Sequence, residues 1–438
     1  MTANRLPALI VALVWTIVIL ANLFLHPVLP APPSLVTIGT CAFGAILLLV
    51  PSLLTTKTAG NEDQVKGRLF APFTLWINAT PHRISVLLIM GTLVGTLIDY
   101  SLAGAPSLSM AGSTEVSAVR AAHLAEGIAF SPLRYLSLTM KSIGLLSLAY
   151  IVVTRAPWPV TAGALLLTGL AGVVETATYG GRAFLRVTFS IVVAASIIGG
   201  AQWIIRHRTR VLTIVVVGIL ALITVNVWFN RLRVSNENEY VGTIRSGEVL
   251  AEAVGVGNLP NDVNFALGLV MGYLISPVGY FDHFLQVHNV PPGYGAFTFQ
   301  TIGNRFGYDF LRVKEHVDDY YADFGITYNI WATAFRELMI DTGPYLFLPV
   351  CALLGVGFRL LRGHSSHNPG ALLLYVLLFA WLLNSPFESI FKSRYVEFGF
   401  MLAALFAVVH VVALKWGGAN RRRVRRVRRD FASNENKK

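Results

Sequence analysis

The sequence predicts an all-α membrane protein, a polytopic bundle of transmembrane helices. Hydrophobic residues make up 54% of the 438 residues and charged residues only 13%, which is about half the charged share of a typical soluble domain. The apolar residues come in runs of roughly twenty, the length at which a helix crosses the hydrocarbon core of a bilayer. Because the chain cannot supply the charged surface of a soluble fold, we expect one membrane domain.

About ten runs meet the length criterion. The first is too long for the hydrophobic region of a cleaved signal peptide, so we expect it to remain as a membrane helix. Seven spans are predicted within residues 1–229 and three within residues 339–414. They lie near residues 6–25, 35–54, 84–103, 134–154, 158–176, 183–205, 211–229, 339–358, 370–387 and 395–414.

The net charge of +12 is concentrated in the tail, residues 415–438, which carries a run of arginines at 421–429. A basic segment next to a membrane helix predicts a cytoplasmic anchor that meets anionic lipid. An even number of spans then places both termini in the cytoplasm, and the basic loops at 55–83 and 206–210 agree. Nothing else in the chain is typical of a nucleic-acid module, so we do not expect a nucleic-acid partner.

Residues 230–338 form a long predicted loop on the outer, extracytoplasmic side, and loops of this length are usually functional. The loop is rich in aromatic residues and glycine. A partly apolar stretch at 263–285 is interrupted by Gly268, Gly272, Pro277 and Gly279. We expect short helices at the outer membrane interface here. The alternative is a re-entrant pair of half-helices.

Three polar clusters fall on the predicted outer side. Arg182 follows two glycines at the start of a span, where a guanidinium and a helix N-terminus together suit a phosphate group. The alternative there is a tight turn whose arginine reaches the lipid headgroups. Arg394 belongs to a second cluster between the last two spans, and Lys141 lies in the outer part of the fourth span.

The third cluster enters the eighth span as a polar stripe. Its members are three or four residues apart, so they share one face of a helix: Asn329, Thr333, Arg336, Glu337 and Asp341. Polar side chains at the membrane are costly, so this face should lie against protein or a cavity and not against lipid. The alternative role for Arg336 is a structural ion pair with a neighbouring carboxylate.

We expect no metal site and no cofactor. Cys41 and Cys351 lie inside apolar runs, where small buried side chains are the simplest interpretation. The histidines show no spacing typical of metal ligands, and no nucleotide-binding motif is present.

The stripe of Asn329, Thr333 and Arg336, followed by Asp341 and Gly343, resembles the Asn–Thr…Asp–x–Gly stretch of Wzy-type oligosaccharide repeat-unit polymerases. The turn at 180–182 resembles the Gly/Ser–Arg turn of that family, and 295–299 resembles part of its aromatic outer loop. One difference is Thr342, where the family usually has phenylalanine. The resemblance covers the general architecture of many spans and one large outer loop late in the chain.

The resemblance implies a metal-independent glycosyltransferase at the outer face of the bacterial inner membrane. Its substrates would be oligosaccharides linked to a polyprenyl pyrophosphate, and its partners would include a flippase and a chain-length regulator. Cations should stabilise the departing pyrophosphate. Either a carboxylate or a histidine could take the acceptor proton, and Asp341 and Asp323 are the candidates. The predicted substrate-binding residues are Arg182, Arg305, Arg336, Arg394, Lys141, Asn329 and Thr333.

Two other functions fit the same sequence features. An O-antigen ligase would share the architecture and differ only in its acceptor. A polysaccharide transporter or lipid flippase would more often show internal repeats and polar residues at mid-membrane depth.

Overall fold

A computed structural model of the chain describes residues 5–26, 32–54, 81–102, 132–179, 183–207, 209, 237–253, 255–257, 259–286, 293, 298, 333–387 and 389–412. Within these ranges the regular elements are helices, and no β-strand occurs. Eight of the described helices are long and apolar enough to cross a membrane, or nine if one bent pair is a single span. The chain is therefore a polytopic helical bundle, as the sequence predicts.

We number the described helices in chain order. They are α1 (Leu6–Leu25), α2 (Leu35–Leu53), α3 (Pro81–Leu102), α4 (Pro132–Val153), α5 (Trp158–Tyr179), α6 (Ala183–Arg206), α7 (Glu237–Ala253), α8 (Asn261–Gln286), α9 (Ala334–His364), α10 (Pro369–Asn384) and α11 (Arg394–Val412). A 3-10 helix, Ile390–Lys392, precedes α11. The eight candidate spans are α1 to α6, α9 and α11.

Eight of the ten predicted spans coincide with these eight candidate spans. The predicted span at 211–229 and the basic tail lie outside the described residues. The predicted span at 370–387 is α10, which has only 16 residues and is shorter than the roughly 20 that a bilayer requires. It packs against α1, α4, α6 and α9 and is buried along almost its whole length. Because protein surrounds α10, its length need not match the thickness of the membrane. The total of ten membrane spans stays a prediction.

The predicted outer loop contains the two helices α7 and α8. We expected short helices at 263–285, whereas α8 has 26 residues and bends by 43° between Asn261–Val270 and Leu274–Gln286. The glycines do not end the helix here, and Gly268 permits close packing on α7, since a Cβ on it would lie 1.9 Å from the carbonyl oxygen of Thr243. Such a bent pair is either a broken span or a re-entrant segment, so the re-entrant alternative stays open.

The bundle has two ends, which we name the Leu25 end and the Arg362 end. At the Leu25 end, the ring of Tyr395 at the start of α11 contacts the ring of Phe184 at the start of α6, with centroids 5.2 Å apart. At the Arg362 end, the Arg362 guanidinium donates hydrogen bonds to the carbonyl oxygens of Ser52 and Leu54, at 2.6 and 3.0 Å. These bonds satisfy carbonyl groups that the end of α2 would otherwise leave without a partner.

Charge is distributed unequally between the two ends. The described acidic side chains of the spanning helices all lie in the halves nearer the Leu25 end: Asp99, Glu175, Glu337, Asp341 and Glu397. The Arg362 end carries arginines and, among the described residues of the same helices and their short turns, no carboxylate. These arginines are Arg5, Arg83, Arg155, Arg206, Arg359 and Arg362. The halves nearer the Leu25 end carry basic side chains as well, namely Arg134, Lys141, Arg186, Arg336 and Arg394, so the two ends differ mainly in where the described carboxylates lie.

Candidate active site

The first two turns of α9 are enclosed by protein on every side. Residues 333–341 are all buried, and this run includes the polar side chains of Thr333, Arg336, Glu337 and Asp341. Gly343 then interrupts the helix with φ 72° and ψ 171°, a conformation that only glycine adopts readily. After this break, Tyr345 is 92% exposed. The expectation that the polar stripe faces protein and not lipid is therefore confirmed for these four residues.

Three other parts of the chain hold the start of α9. The backbone N–H of Ala334 donates to the carbonyl of Ser385 at 2.8 Å, and that of Thr333 donates to the carbonyl of Pro277 at 3.4 Å. Trp15 stacks on Phe335 with ring centroids 4.6 Å apart, and its indole N–H donates to the Ser385 hydroxyl at 2.9 Å. The start of α9 is thus fixed by α1, by α8 and by the turn that follows α10.

Arg336 and Glu337 form a close pair of opposite charges inside this enclosure. One guanidinium nitrogen of Arg336 lies 3.9 Å from Glu337 Oε1, too far for a strong hydrogen bond. The side chain of Arg336 is 0% exposed. Burying a charge is costly unless other groups compensate it, so a fully enclosed arginine is expected either to hold the structure together or to act on a ligand. The structural ion pair that the sequence left open is therefore present in weak form.

Asp341 contacts Gly293 and Thr298 of the predicted outer loop. Its Oδ2 accepts a hydrogen bond from the backbone N–H of Thr298 at 2.8 Å. The backbone N–H of Gly293 donates to the carbonyl of Ile340 at 2.9 Å. A Cβ on Gly293 would lie only 2.8 Å from Asp341 Oδ1. Two described residues of the predicted outer loop therefore lie directly against this carboxylate.

The start of α11 lies against the start of α6. Arg394 is the first residue of α11, and the next residue, Tyr395, contacts Phe184. Phe184 follows the predicted cation Arg182 by two positions. Glu397, one turn after Arg394, is buried. The start of α6 and the start of α11 are therefore neighbours at the Leu25 end.

Lys141 has partners that the sequence did not predict. Its ammonium group donates to Asp99 Oδ2 and, at 2.6 Å, to Glu175 Oε2. All three side chains are buried, and they come from α4, α3 and α5. One lysine between two carboxylates gives this ion triad a formal charge of −1. Such a charge repels an anion, so in this arrangement Lys141 does not favour the pyrophosphate that we predicted it to bind.

Four predicted site residues lie outside the described part of the chain: Arg182, Arg305, Asp323 and Asn329. Sequence reasoning missed the positioning roles of Trp15 and Ser385, because an indole in one span and a hydroxyl after another carry no shared pattern. Within the described ranges no three His, Cys, Asp or Glu side chains are grouped as metal ligands would be. Cys41 and Cys351 are both buried free thiols.

Comparisons with known proteins identify no relative from which a function could be inferred, so the functional argument rests on the residues described above. No protein-family model matches the chain, and no match was found among curated proteins or solved structures.

Proposed function

We propose that this protein is a membrane glycosyltransferase that polymerises oligosaccharide repeat units carried on a polyprenyl pyrophosphate. The observation that carries the proposal is the group of Arg336, Glu337 and Asp341, buried together at the start of a broken helix and next to residues of the long loop. The enclosed Arg336, 3.9 Å from Glu337, provides a cation, and Glu337 and Asp341 on the same buried turns provide carboxylates that can accept a proton.

The proposed reaction needs only these two kinds of group. The acceptor hydroxyl oxygen attacks the anomeric carbon of the donor sugar, and the bond from that carbon to the pyrophosphate oxygen breaks. Arg336 stabilises the negative charge that develops on the leaving pyrophosphate. A carboxylate takes the proton of the hydroxyl, with Asp341 and Asp323 as the candidates from the sequence. Since Arg336 is enclosed by protein, the pyrophosphate must displace groups that now surround it.

The division of charge supports an orientation for this reaction. We propose that the Arg362 end faces the cytoplasm, together with both termini, because the basic segments at 55–83 and 206–210 follow helices that end there, and basic loops are typical of that side. The buried acidic residues and the start of α9 would then lie towards the periplasm of a bacterial inner membrane. A flippase and a chain-length regulator are the partners that we expect there.

A transporter or lipid flippase is the second candidate, and the helix breaks favour it. Discontinuous helices near a binding site are common in transporters, and both the interruption at Gly343 and the bend in α8 are of this kind. An O-antigen ligase remains a closely related third candidate, because it would use the same donor and differ only in its acceptor.

Deletion of the gene, followed by analysis of surface polysaccharide, separates these functions. We expect single repeat units on the lipid A core in place of long chains. Full-length polymer left on the lipid carrier would instead indicate the ligase. Repeat units trapped at the cytoplasmic face would indicate the flippase. Unchanged polysaccharide would contradict all three.

Complementation of the deletion tests Arg336 directly. Arg336→Ala should reduce polymer formation by about 10²–10³-fold, the usual effect of removing one group that stabilises a transition-state charge. Arg336→Lys keeps the charge but loses the planar fork and should recover part of the activity. The matched control is Arg359→Ala on the same helix at the Arg362 end, which should keep full activity. Equal polymer in all variants, each confirmed as folded by size-exclusion chromatography, would remove Arg336 from the mechanism.

A further inference from the structure

The contacts of Asp341 indicate a role other than proton transfer. The residue is joined to Thr298, which is 43 positions earlier in the chain, by a hydrogen bond from a backbone N–H to Oδ2. Gly293 packs against the other oxygen, Oδ1, and Gly293 is also bonded to the carbonyl of Ile340, the residue before Asp341. Both carboxylate oxygens therefore face one segment of the predicted outer loop.

These contacts indicate that Asp341 anchors Gly293 and Thr298 of the predicted outer loop. A hydrogen bond from a backbone N–H to a carboxylate is stronger than one to a neutral acceptor. A side chain at Gly293 would push the carboxylate out of its present position, since an added Cβ would approach Oδ1 to 2.8 Å. A general base, in contrast, needs an oxygen within hydrogen-bond reach of the proton that it removes.

We propose that Asp341 is a positioning residue, which fixes Gly293 and Thr298 against the start of α9, and that another carboxylate takes the acceptor proton. The activity part of this inference rests on the proposed function, whereas the contact itself does not. The Thr298 hydroxyl is buried and has no hydrogen-bond partner within the described part of the chain. Holding Thr298 in place positions this hydroxyl to bind a sugar hydroxyl of the glycan, which must displace the groups that now cover it.

The test compares two replacements of Asp341 in the full-length protein in detergent or nanodiscs. Asp341→Asn keeps an oxygen that can accept the Thr298 N–H but cannot act as a base. Asp341→Leu removes the acceptor and keeps a similar volume. Hydrogen–deuterium exchange of the peptide containing residues 293–298 reports the contact, and polymer formation in the complemented deletion strain reports activity.

We expect Asp341→Leu to raise exchange at the Thr298 amide about tenfold or more, consistent with the loss of a hydrogen bond to a charged group, and to abolish polymer. Asp341→Asn should keep most of the protection and more than about a tenth of the polymer, because acid–base catalysis by a single group contributes about 10²–10⁴-fold. Gly293→Ala should reproduce the exchange and activity defects of Asp341→Leu. Gly279→Ala in α8, where no atom lies within 4 Å of an added Cβ, is the matched control.

Two results would overturn the inference. Loss of polymer in Asp341→Asn with protection intact would identify Asp341 as the base. Unchanged exchange in Asp341→Leu would show that Asp341 does not anchor the segment. If the wild-type protein makes no polymer while the exchange pattern holds, the proposed function fails and the anchoring contact is still supported.

Discussion

Two groups of buried charges lie in the half of the bundle nearer the Leu25 end, and they are built in different ways. The ion triad joins Lys141 to Asp99 and Glu175, with each residue on a different helix and hydrogen bonds between oppositely charged atoms. The start of α9 places Arg336 and Glu337 side by side on one helix, 3.9 Å apart, just before a break in that helix.

The difference separates a structural group from a functional one. The triad cross-links α3, α4 and α5, and its one cation is held by two carboxylates at short range, so its ammonium group has little left to offer an anionic ligand. The pair on α9 comes from adjacent residues of one helix, so its 3.9 Å contact does not itself join two helices. Its position just before the break at Gly343 is what we connect with the proposed pyrophosphate. The two groups should therefore respond differently when a charge is removed.

The largest expected effect is the loss of stability in Lys141→Met. The substitution leaves two carboxylates buried together without a cation, and breaking a buried ion pair by removing one partner costs about 3–5 kcal/mol. Thermal unfolding of the purified protein in detergent should show a markedly lower midpoint than wild type. A midpoint close to that of wild type would show that the triad does not hold the three helices together.

Neutralising the whole triad should recover most of that loss. In the triple variant Asp99→Leu, Lys141→Met, Glu175→Leu no charge remains to be paired, and replacing a complete buried ion pair by hydrophobic residues of similar volume is often close to neutral in stability. Because we assign the triad a structural role, the triple variant should still make polymer once its stability is recovered. A stable but inactive triple variant would move the triad into the functional site and remove the distinction between the two groups.

The sequence predicts the class of fold well, since a helix in lipid must be a continuous apolar run and such runs can be counted. It predicts α10 less well, because the length of a short helix that is surrounded by protein does not have to match the thickness of the bilayer. The triad was missed for a different reason. Lys141 is 42 residues from Asp99 and 34 from Glu175, and only the packing of three helices brings them together. The stripe on α9 was found because its residues are close in sequence.

Removing the break in α9 should have a moderate effect on stability and on polymer formation. Gly343→Ala places a side chain where φ is positive and ψ is extended, a conformation that costs about 1–3 kcal/mol for a residue other than glycine. We expect a lower unfolding midpoint together with reduced polymer, because the turns that carry Arg336 and Asp341 would shift. Gly357→Ala on the same helix, where nothing lies within 4 Å of an added Cβ, is the control and should be neutral or slightly stabilising. Equal effects of the two substitutions would show that the break is not needed.

The smallest expected effect tests how the start of α9 is held. Trp15→Phe keeps an aromatic ring against Phe335 but removes the N–H that donates to the Ser385 hydroxyl. The net loss for one such hydrogen bond is about 0.5–1.5 kcal/mol, so unfolding should shift only slightly while polymer formation falls by a measurable fraction. Trp158→Phe, at a site that is exposed, should change neither quantity. If Trp15→Phe instead destabilised the protein as much as Lys141→Met, the start of α9 would be a structural centre of the bundle like the triad, and the contrast between the two groups would disappear.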